Sequence, residues 1–79
     1  MFTLHRNVKD MSIQIKQFDI VELLEDLNEI IKKGMVGCVL EVWDEETVEV
    51  EFVKNDGSNF EHEGQVTFPI SKNKLKIIE

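Results

Sequence analysis

Hydrophobic and polar residues alternate in several short stretches of this chain. The clearest alternation runs through residues 47–53, where apolar and acidic side chains take turns: Val48, Glu49, Val50, Glu51 and Phe52. A period of two is typical of a strand that turns one face to the core and the other to solvent. We therefore predict a strand here, with the valines and the phenylalanine buried and both glutamates exposed.

Other stretches predict further short strands. They are rich in β-branched and other aliphatic residues, or they alternate in the same way: residues 11–16, 18–24, 35–43 and 75–78, with a weaker strand inside 59–68. In the weaker strand Val66 and Phe68 would share a face, and Pro69 is expected to end it because proline cannot donate a ladder hydrogen bond. Gly37 is expected to mark a bulge or a bend.

The segments between these strands carry turn signals. Residues 25–34 form either a short helix, with Leu27, Ile30 and Ile31 on one face, or a long loop with one helical turn. An Asp-Gly pair predicts a tight turn after the strand at 47–53, and a short turn or 3₁₀ piece is expected before the last strand. Two glycines are expected to have positive φ: Gly34 and Gly57.

Together these elements predict an all-β protein. The 79 residues suffice for one small domain, and several short strands with turns between them are typical of a small barrel or sandwich. The N-terminus lacks the continuous apolar stretch of a secretory signal. No apolar run approaches the roughly 20 residues that span a bilayer. The expected compartment is the cytoplasm, without membrane attachment.

Charge is distributed unevenly along the chain. The formal net charge is −7, and residues 41–63 carry nine acidic residues against one lysine. Such a segment repels the phosphates of nucleic acids and attracts a basic partner. The alternative is that these carboxylates only keep a small β-protein soluble and protect its sheet edges.

Four runs of the chain share a pattern of turn glycines and core aliphatics: FDIVELLEDL, IKKGMVGCVLEVW, VEVEFV and LKII. In this pattern the chain resembles, over roughly residues 12–78, a bacterial family of short proteins catalogued as a domain of unknown function. Members of that family resemble KOW-type SH3-like barrels. The resemblance implies a five-stranded SH3-like (KOW-like) barrel over residues 11–79, preceded by an N-terminal extension over residues 1–10.

The same resemblance implies a non-enzymatic protein, because the family pattern offers no catalytic or cofactor-binding residue. Some members accompany toxin-like proteins, which implies an antitoxin or immunity role. The shared motifs are structural, so they indicate the fold better than the function.

The residues themselves offer little catalytic chemistry. Cys38, the only cysteine, lies in an apolar run and is expected to be a small buried hydrophobe rather than a nucleophile. His5 and His62 lie at opposite ends of the chain. On a strand, Glu61 and Glu63 would point away from His62, so no metal site is expected. The paired carboxylates are expected on a solvated face and not in an active site.

The leading hypothesis is a protein-binding module whose acidic face docks a basic protein. The residues expected to contact the partner are two aromatics and five acids: Trp43, Phe60, Asp44, Glu45, Glu46, Glu49 and Glu51. Tryptophan is enriched at interface hot spots, although Trp43 could instead cap the core. A KOW-like nucleic-acid-associated domain, with a small basic patch at Lys72, Lys74 and Lys76, is the second hypothesis. A self-associating structural protein is the third.

The N-terminal extension, residues 1–10, suggests self-association. Together with the alternating stretch after it, this extension could add a strand to an open sheet edge, in the same chain or in a second copy. A weak homodimer is expected on this ground. Removal of the extension should leave the barrel folded, because the family pattern begins only after it.

Overall fold

The computed structural model describes residues 14–79 of the chain. They contain five strands and, before the last of them, a 3₁₀ turn at Lys72–Lys74. The strands are β1 (Ile20–Leu23), β2 (Val36–Val42), β3 (Thr47–Phe52), β4 (Thr67–Ser71) and β5 (Leu75–Ile77). The strands predicted within 18–24, 35–43, 47–53 and 75–78 are confirmed with shorter bounds.

The strands form one antiparallel sheet in the order β4-β3-β2-β1-β5. Each of the first three strands pairs with the next along the chain, and β5 returns to pair with the free side of β1. The all-β prediction is confirmed. Within residues 14–79 the sheet is open, with β4 and β5 as its two edges, so closure into a barrel stays a prediction.

The hydrophobic core lies on one face of this sheet. Val48, Val50 and Phe52 are fully buried, as the alternation predicted, because strand side chains point alternately to the two faces. They pack with side chains from every other strand and from two loops: Ile15, Val21, Leu23, Ile31, Val39, Phe68, Ile70 and Leu75. Burial stabilises by about 1.5–3 kcal/mol per large aliphatic or aromatic side chain, so this cluster dominates the favourable side of folding.

Strand β4 corrects two predictions. Pro69 does not end a strand but lies in the middle of β4, opposite Glu49 of β3. An edge strand tolerates a proline because an N–H on its open side needs no partner. Val66 does not share a buried face with Phe68: Val66 lies exposed before β4, whereas Phe68 is buried.

The connection between β1 and β2 is a loop without a helix. Of the two alternatives predicted for residues 25–34, the short helix is wrong and the loop is found, without a helical turn. The helix does not form because an asparagine side chain competes for its backbone donors. Asn28 Oδ1 accepts hydrogen bonds from the N–H groups of Ile30 and Ile31, each at 2.8 Å. The resulting turn directs Ile31 into the core and leaves Ile30 exposed.

Asp26 fixes the end of the same loop. Its Oδ1 accepts a hydrogen bond from the Lys33 N–H at 2.8 Å, and its Oδ2 lies 3.7 Å from Lys32 Nζ. The Lys33 hydrogen bond above all, and then the Lys32 charge, lower the pKa of Asp26 below its ordinary value of 3.8. Ionised Asp26 therefore stabilises the fold above that value, and this stabilisation is lost as the pH falls through the lower pKa of the folded state.

We expect Asp26→Asn to lower the melting temperature at neutral pH but not in acid. Asparagine can still accept the Lys33 hydrogen bond, but it lacks the charge that strengthens it. Melting curves followed by circular dichroism at about pH 7 and about pH 2 measure the difference. Glu61→Gln, which removes one charge from an exposed residue, is the control and should change the melting temperature little. An equal loss at both pH values would contradict a role for the ionised carboxylate.

The predicted turn glycines have the expected backbone conformation. Gly34 and Gly57 have φ of +93° and +91°, a region that residues with a side chain rarely adopt. The bulge expected at Gly37 lies instead between Val39 and Glu41, where the register of β2 against β3 shifts.

The start of the described chain contributes Ile15 to the core. Ile15 is buried between exposed neighbours, but residues 14–16 have no regular secondary structure. The rest of the strand predicted at 11–16, and the N-terminal extension at 1–10, lie outside the described residues. Among residues 14–79 there is no helix of the length and apolar character needed to cross a membrane.

Candidate protein-binding face

The face of the sheet opposite the core is lined by carboxylates. Glu49 and Glu51 lie between buried neighbours along β3 and therefore point away from the core. In the ladder Glu49 lies opposite Glu41 of β2. Glu51 lies opposite Cys38 in β2 and opposite Thr67 in β4. These five residues form the outer face.

The Glu49 carboxylate is fixed by hydrogen bonds to both oxygens. Trp43 Nε1–H donates to Oε1 at 2.7 Å, and the Thr67 hydroxyl donates to Oε2 at 2.7 Å. Both donors are uncharged, so they orient the carboxylate without neutralising it. Glu51 accepts a weaker hydrogen bond from the Asn59 amide at 3.3 Å. These contacts leave both glutamates half-buried. The alternation predicted their direction, away from the core, but it also predicted that they would be exposed, which they are only in part.

Glu41 and Glu49 place like charges on opposed positions of neighbouring strands. Side chains directly opposite in an antiparallel pair have Cβ atoms about 4.5–5.5 Å apart, and like charges at this distance destabilise the sheet. A basic side chain from a partner, placed between the two carboxylates, would turn this repulsion into attraction.

Trp43 follows β2 and is exposed, with 58% of its surface accessible. The alternative that this tryptophan caps the core is therefore wrong. Its hydrogen bond to Glu49 holds the indole beside the outer face. A large aromatic ring that is already fixed in place loses little side-chain entropy on binding, which favours a role as an interface anchor.

Phe60 does not join Trp43. The Phe60 N–H donates to the Phe52 carbonyl at 2.8 Å, whereas the Trp43 N–H donates to the Thr47 carbonyl at 2.9 Å. These bonds place the two aromatics at opposite ends of β3. Phe60 packs against the core, with Lys54 Nζ 5.5 Å from its ring centroid. Its role in this structure is packing.

The acidic turn at residues 44–46 is held mainly by the side chain of Asp44. Asp44 Oδ1 accepts hydrogen bonds from the N–H groups of Glu46 and Thr47, each at 2.8 Å. The Glu46 carbonyl accepts a hydrogen bond from the Lys72 N–H at 2.7 Å, which ties this turn to the 3₁₀ turn. Asp44 thus serves the turn, while Glu45 and Glu46 are exposed beside Trp43.

Cys38 is half-buried on the outer face. Burial above all, and then the carboxylates of Glu51 and Asp19, raise the pKa of its thiol. A nucleophilic cysteine requires the opposite shift. The geometry therefore favours a small apolar side chain in the sheet.

His62 contacts two carboxylates. Its Nε2 lies 3.1 Å from Glu29 Oε2 and 3.9 Å from Glu63 Oε2, and the hydrogen bond from His62 lowers the pKa of Glu29. The expectation that Glu63 points away from His62 is wrong, because this residue has a φ of +52° and lies in a turn and not in a strand. Among residues 14–79 no three histidine, cysteine or acidic residues are grouped to hold a metal ion, and His5 lies outside them.

The three lysines around the start of β5 differ in their surroundings. Lys72 is buried, with 5% of its surface accessible. Lys74 Nζ lies 3.2 Å from Glu25 Oε2, and Lys76 lies opposite Glu22 in the β1–β5 ladder. Burial and neighbouring carboxylates therefore reduce the positive charge that this expected basic patch presents to the phosphates of a nucleic acid.

Sequence reasoning missed three residues of this region. Glu41 adds a third carboxylate to the outer face, and the Thr67 hydroxyl donates to Glu49. Only the strand register brings these two residues beside Glu49 and Glu51. Phe18, exposed over 67% of its surface, lies just before β1. No glycine or asparagine near Phe18 signals a turn, so no local signal indicates that this aromatic is exposed.

These features define a small all-β domain with an acidic sheet face. The model of a family described as a domain of unknown function (DUF4926) matches residues 17–64. This match spans more than half of the chain, which therefore belongs to that family, as the resemblance indicated. It includes β1, β2 and β3 with the glutamates of the outer face. The comparisons with curated proteins and with solved structures give no match.

Proposed function

We propose that this domain is a non-enzymatic protein-binding module whose outer face docks a basic segment of another protein. The observation that carries the proposal is the Glu49 carboxylate, oriented on both oxygens by Trp43 and Thr67. Binding sites commonly hold their polar groups in place before the ligand arrives. A docked cation would interact with this carboxylate and with the exposed indole beside it.

The charge distribution supports a basic partner. Residues 41–63 carry nine acids and one lysine, and Glu41, Glu49 and Glu51 lie on one face. A field of one sign speeds encounter with an oppositely charged partner and disfavours like-charged competitors. A basic toxin-like protein has this chemistry, and the domain would then act as its antitoxin or immunity protein.

The finer fold in this proposal is an SH3-like, KOW-like barrel. Its support is the strand order β4-β3-β2-β1-β5 and the 3₁₀ turn directly before β5. Sheets twist with a fixed hand, and a twisted five-stranded sheet can curl around the core on its inner face. The outer face is then the convex surface of the barrel wall.

Neutralising the outer face tests the proposal. The variant Glu41→Gln/Glu51→Gln removes two carboxylates from it while retaining side-chain size and hydrogen-bonding groups. We expect about fivefold weaker binding of a synthetic octa-arginine peptide at physiological salt, since exposed ion pairs contribute about 0.2–1 kcal/mol each. Isothermal titration calorimetry measures the two affinities.

The control variant, Glu61→Gln/Glu79→Gln, removes the same number of charges from exposed positions outside the outer face. Its affinity for octa-arginine should stay within about twofold of the unmodified domain, because distant exposed charges are largely screened at this salt concentration. Equal losses in both variants would mean that only net charge matters and would contradict a binding site on the outer face.

A further inference from the structure

Phe18 occupies a backbone position that normally favours glycine. The Asp19 N–H donates to the Lys16 carbonyl at 3.1 Å, which closes a four-residue turn with Phe18 at its third position. Phe18 has a φ of +73°. A turn with positive φ at this position selects glycine or asparagine, because a larger side chain there strains the backbone.

The same residue begins a bulge in the sheet. The Phe18 N–H donates to the Val39 carbonyl at 2.6 Å, and the Val39 N–H donates to the Asp19 carbonyl at 3.0 Å. Phe18 and Asp19 thus both face Val39, which is the arrangement of a bulge whose first residue is usually a left-handed glycine. The turn and the bulge share this left-handed residue, and both favour glycine where the chain has phenylalanine.

Packing does not explain the phenylalanine. With 67% of its surface accessible, Phe18 is the most exposed of the large hydrophobic residues in the described chain. Strain retained without a packing gain is a feature of functional sites. The side chain is therefore accessible to a partner and is held by a backbone that would be less strained without it.

Phe18 and Trp43 lie near the two ends of the part of β2 that carries Glu41. The Phe18 N–H is hydrogen-bonded to Val39, and Trp43 follows Val39 by four residues. At about 3.3 Å per residue, the backbone positions of the two aromatics are therefore about 13 Å apart along β2. Glu41 lies midway between Val39 and Trp43 in the sequence, and Glu49 lies opposite Glu41 in the ladder. About four residues of an extended peptide cover this distance.

We propose that Phe18 and Trp43 are paired aromatic contacts for an extended, arginine-containing segment of the partner. This inference rests on the proposed function of the outer face. The carboxylates select the charge of the segment, and the two rings favour arginine over lysine because a planar guanidinium stacks on aromatic faces and binds carboxylates in a bidentate manner.

The experiment compares octa-arginine and octa-lysine peptides on the unmodified domain and on Phe18→Gly by calorimetry. We expect the unmodified domain to bind octa-arginine more tightly than octa-lysine. We expect Phe18→Gly to bind octa-arginine about two- to fivefold more weakly than the unmodified domain does, which corresponds to the loss of an exposed cation–π contact. We also expect the melting temperature of Phe18→Gly to be no lower than that of the unmodified domain, because glycine relieves the strain. Phe18→Tyr should retain the affinity, and Val66→Ala, which shortens an exposed side chain before β4, should not change it.

Two results would overturn this role of Phe18 while leaving the proposed function intact: unchanged octa-arginine affinity in Phe18→Gly, or a clearly lower melting temperature, which would make Phe18 a structural residue. If the unmodified domain binds neither peptide, the proposed function itself fails, and the role of Phe18 fails with it. Weaker binding by a variant that is equally or more stable supports the inference, because a structural role would move both quantities in the same direction.

Discussion

The substitution Val50→Asp is expected to leave the domain largely unfolded at 25 °C. Val50 is fully buried in the centre of the sheet, between Val39 of β2 and Phe68 of β4 in the ladder. An aspartate there would bury a carboxylate without a partner, at a cost of several kcal/mol. A domain of this size rarely has more than about 3–5 kcal/mol of net stability. Circular dichroism and urea unfolding measure the loss.

The matched control is Val66→Asp, the same substitution at an exposed position before β4. It should remain folded with a nearly unchanged urea midpoint, since surface substitutions usually alter stability by less than about 0.5 kcal/mol. A folded, cooperative Val50→Asp would show that the alternation in β3 does not define the buried face.

The second large effect is expected for Gly37→Ala. A Cβ atom at Gly37 would lie 2.6 Å from the Glu51 carbonyl oxygen, 2.7 Å from Val50 Cγ1 and 2.9 Å from Phe52 Cδ1. The nearest of these atoms belongs to the backbone of β3, which cannot rotate away, so β2 and β3 must separate. Overpacking of this kind costs about 1–3 kcal/mol, which corresponds to a fall in melting temperature of roughly 4–24 °C for a domain of this size.

Gly64→Asn is the control for this prediction. Gly64 has a φ of +85° but has no atom within 4 Å of the added Cβ, and asparagine tolerates this conformation better than most residues. Its melting temperature should change by a few degrees at most, of the order that a few tenths of a kcal/mol produce. A Gly37→Ala variant as stable as Gly64→Asn would mean that the β2–β3 contact is looser than the distances imply.

The strands were predictable where the alternation had a period of two. In β3 the buried positions follow from the order of Val48, Val50 and Phe52 alone, because only one face of the strand can carry them into the core. The turn glycines were predictable for a similar reason, since only a residue without a side chain adopts positive φ without steric strain. Both signals depend only on residues that are close in sequence, so the structure could be predicted from them without knowing the distant contacts.

The errors arose where a distant or competing interaction decides the structure. The spacing of Leu27, Ile30 and Ile31 suits a helix, but Asn28 takes two of the backbone donors such a helix would use. Pro69 was expected to end a strand because proline cannot donate a ladder hydrogen bond. It is tolerated in β4 because this strand lies at the sheet edge, and that position depends on the pairing of the whole sheet.

The candidate site was predictable in charge but not in geometry. The acidic segment is visible in the sequence, and Glu49 and Glu51 were assigned to the outward side of β3. The sequence left open whether Trp43 is buried, and it did not pair Glu41 with Glu49, because register between strands depends on the bulge in β2. Phe18 was missed because a phenylalanine in a glycine position leaves no local signal.

The central claim is that the outer face binds a basic polypeptide, and calorimetry of the unmodified domain tests it most directly. Octa-arginine and a short RNA duplex would be titrated in parallel at about 0.15 M salt, where charges more than about 8 Å apart are largely screened. We expect saturable binding of the peptide and none of the RNA. Saturable binding of the RNA without binding of the peptide would contradict the claim and favour a nucleic-acid-associated domain.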